Sequence, residues 1–485
     1  MFLGPSLSLS RAREILEADY HPPARKGDIY RVMTSGVDTI VLIDGVFHNT
    51  PSVWQRELLD AVEEGFAVYG ASSMGALRAA ELSAYGMEGH GVVFGWYRDG
   101  VIEGDDEVAL LHATEEFGYR ALSMPLVNVR YALRRAVAAR VLTPEQADGV
   151  VNHLKGLPYP ERTPQAVRSS PPLGGASPET LTRLAGLLSG EAADVKRLDA
   201  VGLLRHVRAA REQRARAPQA GPALTTATTK QRYERLLMTG FHAPQGLFEG
   251  AEVLRRALED EPFAKRMRAA LALRRFVLEW AVEHRVRCPE GAVAAAAEGF
   301  VSVHGIADFA AWLRRNGLTR ASFAASLAEA VLIDTVIAGG PAAFGLSWDE
   351  EADAAARSLF DADPEAFQHP LTLRRLPRRA VPEAQAAPTE DGAYSQYAFL
   401  IAWAERNGVV PPDAQTESGG TPPGPLSRGP LQAWRRELSR AAWVLGRGPE
   451  HFGLDWMFEL EFPRALQMTN QVEQFLSPQA VTAAP

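Results

Sequence analysis

Residues 66–82 read Phe-Ala-Val-Tyr-Gly-Ala-Ser-Ser-Met-Gly-Ala-Leu-Arg-Ala-Ala-Glu-Leu, and this stretch decides the fold of the first half of the chain. A short run of apolar and aromatic residues meets two serines and a glycine and then continues into strong helix formers. The pattern predicts a strand, a sharp turn and a helix. Such a unit presents a serine hydroxyl at the carboxyl end of the strand and leaves the first N–H groups of the helix unpaired.

The turn has the spacing Ala-x-Ser-x-Gly, which places Ser73 where the serine of a nucleophile elbow lies. The backbone N–H groups of Met74 and Gly75 are then candidate donors to an oxyanion. The structural alternative is that Ser72 caps a helix over Ala76–Leu82 and that Ser73 lies in the first turn. The local pattern alone favours the cap, because strand-to-helix turns that end in serine are common.

Around this turn, short apolar runs alternate with helical patterns through residues 1–113. Strands are predicted at Met1–Leu3, Thr39–Ile43 and Phe66–Ala71, and Gly65 ends a helix over Ser52–Glu64. Connections this short imply a parallel sheet covered on both faces. The sequence therefore predicts an α/β N-terminal core with a short, mainly parallel sheet flanked by helices. Ligands of such sheets collect at the carboxyl ends of the strands. Three polar turns fall at these ends: Gly4–Ser6, Asp44–His48 and Ser72–Ser73.

The composition is that of an ordinary globular protein, with 46% hydrophobic and 23% charged residues in a chain of 485. A net charge of -8 provides no basic surface for a nucleic acid. We expect no run of residues to span a membrane, and the first residues lack the pattern of a signal peptide, so a cytoplasmic protein is predicted. The single cysteine, Cys288, excludes an internal disulfide and a Cys-based zinc cluster.

The second half of the chain predicts a mainly α-helical C-terminal region, because helical periodicity continues from residue 231 onward. A stretch rich in Ala, Arg, Pro and Thr precedes it and is typical of a linker. The expected divisions are an α/β core domain over 1–210, a linker over 211–230, and helical domains over 231–375 and 376–485.

The two helical domains show a candidate internal repeat. Phe276 and Trp280 align with Phe399 and Trp403 at one constant offset, and a valine and a proline follow each pair at matching distances. The last domain is therefore a candidate divergent repeat of the preceding one. Chance similarity between two amphipathic helices that end in proline turns is an equally good explanation.

A second polar cluster begins with three consecutive carboxylates, Asp105, Asp106 and Glu107, and ends at His112. These groups are candidates to bind a divalent cation, to act as a proton-transfer pair, or to contact arginines of a partner. The structural alternative is a solvated loop that caps the next segment. His112 follows Glu107 by five residues and misses the spacing that aligns ligands on one helix face. The spacing therefore gives little support for a metal site, and we assign no metal ligand.

Lysine is rare in this chain, which has only five among 51 basic residues. Arginine keeps its proton in proteins, whereas a lysine amine can lose it. A lysine in such an arginine-rich chain is therefore a candidate for a base, with chance survival as the alternative for any single one. The five are Lys26, Lys155, Lys196, Lys230 and Lys265.

Taken in order, five segments resemble the core domain of TfuA-like proteins, over residues 1–210. Within the second segment, Ser-Met-Gly-Ala also resembles the nucleophile segment of Clp-type serine proteases and points to Ser73. The segments are Ile43–His48, Gly70–Leu82, Asp105–Val108, Val127–Arg130 and Asp194–Ala200.

The resemblance implies a function beside YcaO enzymes in peptide backbone thioamidation. In that role the protein hydrolyses a thiocarboxylated ThiS-like sulfur-carrier protein, with no cofactor, and supplies sulfide for modification of a precursor peptide. The resemblance also implies a serine–lysine pair. The motifs assign the lysine to Lys196 and the serine to Ser73, with Ser72 as the second choice. Further binding or supporting residues follow from the same motifs and the acidic cluster: Asp44, His48, Arg78, Glu81, Asp105, Asp106, Glu107, His112, Asn128 and Arg130.

Three functions remain open on the sequence. The first is serine hydrolysis of a carrier thiocarboxylate. The second is a non-catalytic adaptor that docks precursor peptide and YcaO enzyme, with residues 105–107 as a contact surface. The third is a metal-dependent hydrolase that uses Asp105, Asp106 and His112. The helical half is expected to be a docking module.

Overall fold

The computed structural model describes residues 1–47, 50–214, 229–346, 348–362, 390–409, 437–438, 440–441, 444 and 455–476. The chain divides into a first unit, residues 1–227, and a second unit, residues 228–485. The strands of the first unit are β1 (Thr39–Leu42), β2 (Ala67–Ala71) and β3 (Glu88–His90). Its helices are α1 (Leu9–Ile15), α2 (Asp28–Met33), α3 (Gln55–Glu63), α4 (Met74–Leu82), α5 (Gly91–Arg98), α6 (Leu126–Ala138), α7 (Pro144–Lys155), α8 (Pro164–Arg168), α9 (Pro178–Ser189) and α10 (Val195–Arg214).

The three strands form one parallel sheet in the order β1-β2-β3, which confirms the predicted parallel core. Thr39 pairs with Ala67 and Tyr69 pairs with Glu88. The predicted strand at Met1–Leu3 is reduced to Phe2, which forms one isolated bridge to Leu42 of β1 and another to His21. β3 was not predicted, because Glu-Gly-His lacks the apolar alternation that marks a strand.

Helices cover both faces of the sheet. On one face, the alternate β2 residues Ala67, Tyr69 and Ala71 lie in a core with apolar residues of α1 and α10. The opposite face of β2 contacts α4 so closely that a Cβ added at Gly70 would lie 2.2 Å from the carbonyl oxygen of Gly75. The carboxyl ends of β1 and β2 are thereby held beside the first turn of α4.

Gly75 makes the tightest of these approaches. A Cβ at this position would lie 1.8 Å from Leu42 O, a backbone atom that cannot swing away. The Gly75 N–H also donates to Ile43 O at 3.2 Å, so the helix start and the end of β1 are hydrogen-bonded to each other. The glycine of the turn is therefore required for packing.

We expect Gly75→Ala to destabilise the protein by about 3 kcal/mol, since the added methyl group overlaps backbone. Gly186→Ala is the matched control: Gly186 lies exposed in α9, and a Cβ there meets nothing within 4 Å. That change should stabilise by about 0.5–1 kcal/mol through helix propensity. Urea denaturation of the full chain measures both, and equal stability of the two variants would show that the close approach is wrong.

The second unit is mainly helical, as predicted, but it also contains an unpredicted antiparallel hairpin of β4 (Gly240–Ala243) and β5 (Gly246–Glu249). The sequence signal is the Pro244–Gln245 turn followed by Gly246, whose φ is 135°. The described helices are α11 (Thr229–Met238), α12 (Gly250–Glu259), α13 (Glu261–Glu283), α14 (Ala292–Val303), α15 (Phe309–Arg315), α16 (Arg320–Ala338), α17 (Gly340–Ala343), α18 (Glu350–Ala362), α19 (Glu390–Arg406) and α20 (Asp455–Gln467).

The residues of the candidate repeat contact one another reciprocally. The ring of Phe276 on α13 stacks on Trp403 of α19 at 3.7 Å between centroids. The ring of Phe399 on α19 meets Trp280 of α13 edge to face at 5.6 Å. The phenylalanine of each helix therefore contacts the tryptophan of the other helix, and all four side chains belong to one core.

Helix α16 differs from the sequence expectation about apolar runs. Within its 19 residues, a window of 18 has a mean hydropathy of 1.6, so by length and composition the helix is able to cross a membrane. In the structure its residues Phe323 and Leu327 lie in one helical core, while Ile333 and Val336 lie in another. A core helix of a globular protein has the same length and composition.

Candidate active site

The serine turn is sharper than the sequence predicted. Ser72 has a φ of 71°, a left-handed value that costs a residue with a Cβ about 1–3 kcal/mol. The Ser73 N–H donates to Ala71 O at 2.8 Å and closes a three-residue turn around Ser72. Both serines are buried, at 0% and 3% exposure. The turn combines burial with backbone strain, as expected at a nucleophile elbow.

The predicted cap by Ser72 is wrong. Helix α4 begins at Met74, so Ser73 is its N-cap residue, and the Ser73 side chain makes no capping hydrogen bond. The buried Ser72 Oγ has no hydrogen-bond partner within the described chain. A buried hydroxyl left unpaired in a strained turn costs stability, so its retention needs a reason other than capping.

The two candidate oxyanion donors differ in their availability. The Gly75 N–H already donates to Ile43 O and is therefore engaged in the fold. Met74 is the first residue of α4, where helix geometry provides no intrahelical acceptor for its N–H. The positive end of the α4 dipole adds to this donor. Met74 is thus the better of the two candidates.

Asp44 fixes the carboxyl end of β1 beside this turn. One carboxylate oxygen accepts from the backbone N–H groups of Gly4 and Ser6 at 2.9 and 3.1 Å, and the other accepts from the Ser6 hydroxyl at 2.6 Å. The residue is 1% exposed. The predicted polar turns at residues 4–6 and 44 are therefore brought together by one buried carboxylate.

Lys196 lies in the first turn of α10 and is 2% exposed. Its Nζ donates to Val108 O at 3.0 Å. Burial lowers the pKa of the Lys196 amine, and the charges of Asp44 and Asp194 oppose this effect. Ala200 and Leu203, which follow Lys196 in α10, lie in the same core as Ala71 at the end of β2, so this helix packs against the strand that carries the serines.

The serine and the lysine are not hydrogen-bonded to each other. The Lys196 Nζ donates to Val108 O, and throughout the described residues no hydrogen bond joins it to Ser72 or Ser73. Catalytic hydrogen bonds often form only when substrate binds.

The acidic run is paired with arginines of the same chain. Glu107 is fully buried and accepts two bonds from Arg130, at 2.8 and 2.7 Å. Asp106 accepts from the buried Arg162 at 2.5 Å through its side chain and at 2.8 Å through its carbonyl oxygen. Asp105 is exposed at the start of the same turn. The solvated-loop alternative is therefore wrong for Glu107, which is held inside the fold.

His112 does not join these carboxylates. Its Nδ1 lies 2.8 Å from Ala113 O, and its ring packs edge to face on Tyr119. Across the described residues, no group of three or more His, Cys, Asp or Glu is arranged to hold a metal ion. The metal-dependent function thus gains no geometric support.

We expect Glu107→Ala to destabilise the protein by about 3 kcal/mol, because it leaves the Arg130 guanidinium without its buried partner. The exposed Glu103 supplies the control, and Glu103→Ala should change stability by less than about 0.5 kcal/mol. Urea denaturation measures both. A wild-type midpoint for Glu107→Ala would mean that this ion pair does not support the fold.

The remaining predicted residues have structural contacts. Arg78 donates to Val53 O at 3.1 Å and to Glu81 at 2.7 Å, and Glu81 also accepts from Gln55 at 3.2 Å. These bonds tie α4 to the segment before α3. His48 lies outside the described residues.

Two functional neighbours were missed by sequence reasoning. Arg162 is 2% exposed and ties Asp106 to the end of α7, although it lies in the stretch 156–175, which is rich in Pro, Ser and Gly as loops are. Asp199 accepts the Val92 and Val93 N–H groups at the start of α5, and burial raises its pKa to about 6. The sequence did indicate Asp199, because the Asp194–Ala200 segment carries three charged side chains besides Lys196.

The fold and the site define an α/β domain that has a serine turn after a strand of its parallel sheet and a buried lysine in α10. Residues 44–163 match the family model described as TfuA-like protein. The chain therefore contains a TfuA-like domain, and this match is consistent with a role in YcaO-associated modification. The matched residues include the serine turn, the acidic run and Asn128, whereas Lys196 follows them. A comparison with curated proteins finds no match.

Proposed function

We propose that the first unit hydrolyses a thiocarboxylated ThiS-like sulfur-carrier protein and supplies sulfide to a YcaO enzyme that thioamidates a precursor peptide. The observation that carries this proposal is the buried Lys196 amine, whose pKa is lowered by burial and which belongs to the helix that packs against the strand before the strained serine turn. Burial favours the neutral form of an amine, and a neutral amine is a base that can activate a serine.

The reaction divides into two balanced steps. Ser73 Oγ attacks the thioacid carbonyl carbon, and Lys196 takes the hydroxyl proton. The developing oxyanion accepts a hydrogen bond from the Met74 N–H. The C–S bond then breaks, Lys196 passes the proton to the departing sulfur, and hydrosulfide leaves with the carrier held as an ester on Ser73. Water, deprotonated by Lys196, attacks this ester, and the carrier carboxylate and the Ser73 hydroxyl are released. Ser72 is the alternative nucleophile.

The Lys196 side chain must exchange partners for the first step. Its Nζ donates to Val108 O, which keeps the lone pair of a neutral amine available for a proton. The proposal requires rotation about the side-chain bonds of the lysine or the serine to bring the two groups into contact. Substrate in the site favours this contact by excluding water.

The direct test incubates the full chain with a ThiS-like carrier that bears a C-terminal thiocarboxylate and measures free sulfide. We expect sulfide release whose rate rises with pH through a pKa below the usual lysine value of 10.5, because only the neutral amine accepts a proton. A chelator should leave the rate unchanged. No sulfide above the buffer rate would overturn the proposal.

A non-catalytic adaptor is the second candidate, and one observation favours it. The segment 111–122 exposes Leu111, Phe117 and Leu122, with Phe117 at 70% exposure. Exposed apolar groups of this kind are typical of protein contacts. The acidic run is a poor contact surface because Glu107 is buried. An adaptor would raise the affinity of the YcaO enzyme for its precursor peptide and release no sulfide. The second unit would serve either function as a docking module.

A further inference from the structure

Helix α6 contacts the start of α10 through one side chain. The Asn128 Nδ2 donates to Asp194 Oδ1 at 2.9 Å, and the Asn128 Oδ1 accepts the Lys196 backbone N–H at 3.2 Å. Asp194 Oδ1 also accepts the Arg197 N–H at 3.0 Å, so it caps α10. One amide therefore fixes both the cap of α10 and the backbone of Lys196.

The same helix also fixes the acceptor of the Lys196 amine. Arg130, two residues after Asn128, holds Glu107 through two hydrogen bonds. Val108, the residue after Glu107, provides the carbonyl oxygen that accepts a hydrogen bond from Lys196 Nζ at 3.0 Å. Both Glu107 and Val108 are fully buried, so this segment has little freedom apart from α6.

We propose that α6 is the positioning element of the candidate base: Asn128 holds the backbone of Lys196, and Arg130 holds the segment whose carbonyl orients the Lys196 amine. This inference rests on the proposed function for its catalytic meaning. Asn128 and Arg130 are positioning residues, because both act through Lys196. Since a base misplaced by 1 Å loses much of its effect, the two side chains should control turnover without binding substrate.

Asn128→Asp gives the sharpest change. It replaces the Nδ2 donor by an acceptor that faces the Asp194 carboxylate, and it adds a third negative charge to those of Asp44 and Asp194 near the amine. A nearby negative charge stabilises the protonated amine. The variant should therefore bind the Lys196 proton about tenfold more tightly and shift the sulfide-release profile to higher pH.

The measurement is NMR of the full chain labelled with ¹³C and ¹⁵N in lysine, which gives only five side-chain signals. Lys196→Met assigns the signal of interest. In the wild type, this signal should titrate below the usual lysine pKa of 10.5. Asn128→Asp should move it to higher pH, and Arg130→Met should broaden or shift it. The controls Asn152→Asp and Arg183→Met change exposed residues of α7 and α9 and should leave it unmoved.

Turnover separates positioning from folding. Asn128→Ser and Arg130→Lys keep part of the hydrogen bonding and should retain more kcat than Asn128→Ala and Arg130→Met, with KM unchanged in all four. An unshifted Lys196 signal in folded Asn128→Ala and Arg130→Met would overturn the inference. Equal kcat values for these two variants and for Asn128→Ser and Arg130→Lys would also overturn it. If no variant or wild type releases sulfide but the lysine signal shifts as expected, the reaction is wrong and the positioning stands.

Discussion

Lys196→Met should reduce sulfide release at least about 100-fold, because loss of a general base typically removes two to four orders of magnitude. The methionine keeps the length of the side chain in the buried site. Lys265→Met, in the exposed part of α13, is the matched control and should retain full activity. Full activity of Lys196→Met would remove the lysine from the mechanism.

The same variant should keep or gain thermal stability. The pKa of Lys196 is lower in the folded protein than its usual value of 10.5, so below the folded pKa the protonated amine is buried at a cost. That cost falls as pH rises toward 10.5, where both states are neutral. Lys196→Met should therefore gain most in melting temperature near pH 7 and less near pH 9. The lost bond to Val108 O offsets part of the gain.

The second large effect separates the two serines. Ser73→Ala should reduce sulfide release about 1,000-fold or more, since it removes the nucleophile. Ser72→Gly should keep activity and stabilise the turn by about 1 kcal/mol, because glycine adopts a φ of 71° without strain. Ser83→Ala, beyond the end of α4, is the neutral control. Thermal melting and sulfide release of the three variants decide the assignment.

The opposite pattern has an equally clear meaning. Activity lost in Ser72→Gly and kept in Ser73→Ala would assign the nucleophile to Ser72, whose Oγ is buried and unpaired. Activity kept in both variants would contradict a serine mechanism at this turn.

The local features of the fold were predictable from the sequence. The run at 66–82 has the residue types that its structure requires. Small and β-branched residues form the buried strand, and a glycine follows where α4 contacts Leu42. β3 was not predictable, because its three residues form an edge strand with no apolar pattern. The strain at Ser72 was also invisible, since φ is set by the packing of α4 against the sheet.

The candidate site was predictable in its residue types but not in its pairings. Asp106 pairs with Arg162 across 56 residues, and Lys196 finds its acceptor at Val108 across 88. Pairings at such separations depend on how segments distant in sequence pack together, which no local pattern encodes. The rarity of lysine pointed to an unusual amine, and the structure places one of the five in a fully buried position.

The measurement that tests the central claim most directly is the intact mass of the protein, acid-quenched during turnover of the thiocarboxylated carrier. A serine mechanism predicts an ester adduct with the mass of the chain plus the carrier thioacid minus hydrogen sulfide, which proteolysis maps to Ser73. The adduct should be absent from Ser73→Ala and should accumulate more slowly in Lys196→Met. Sulfide release with no carrier ester on Ser73 or Ser72 at any quench time would contradict this account.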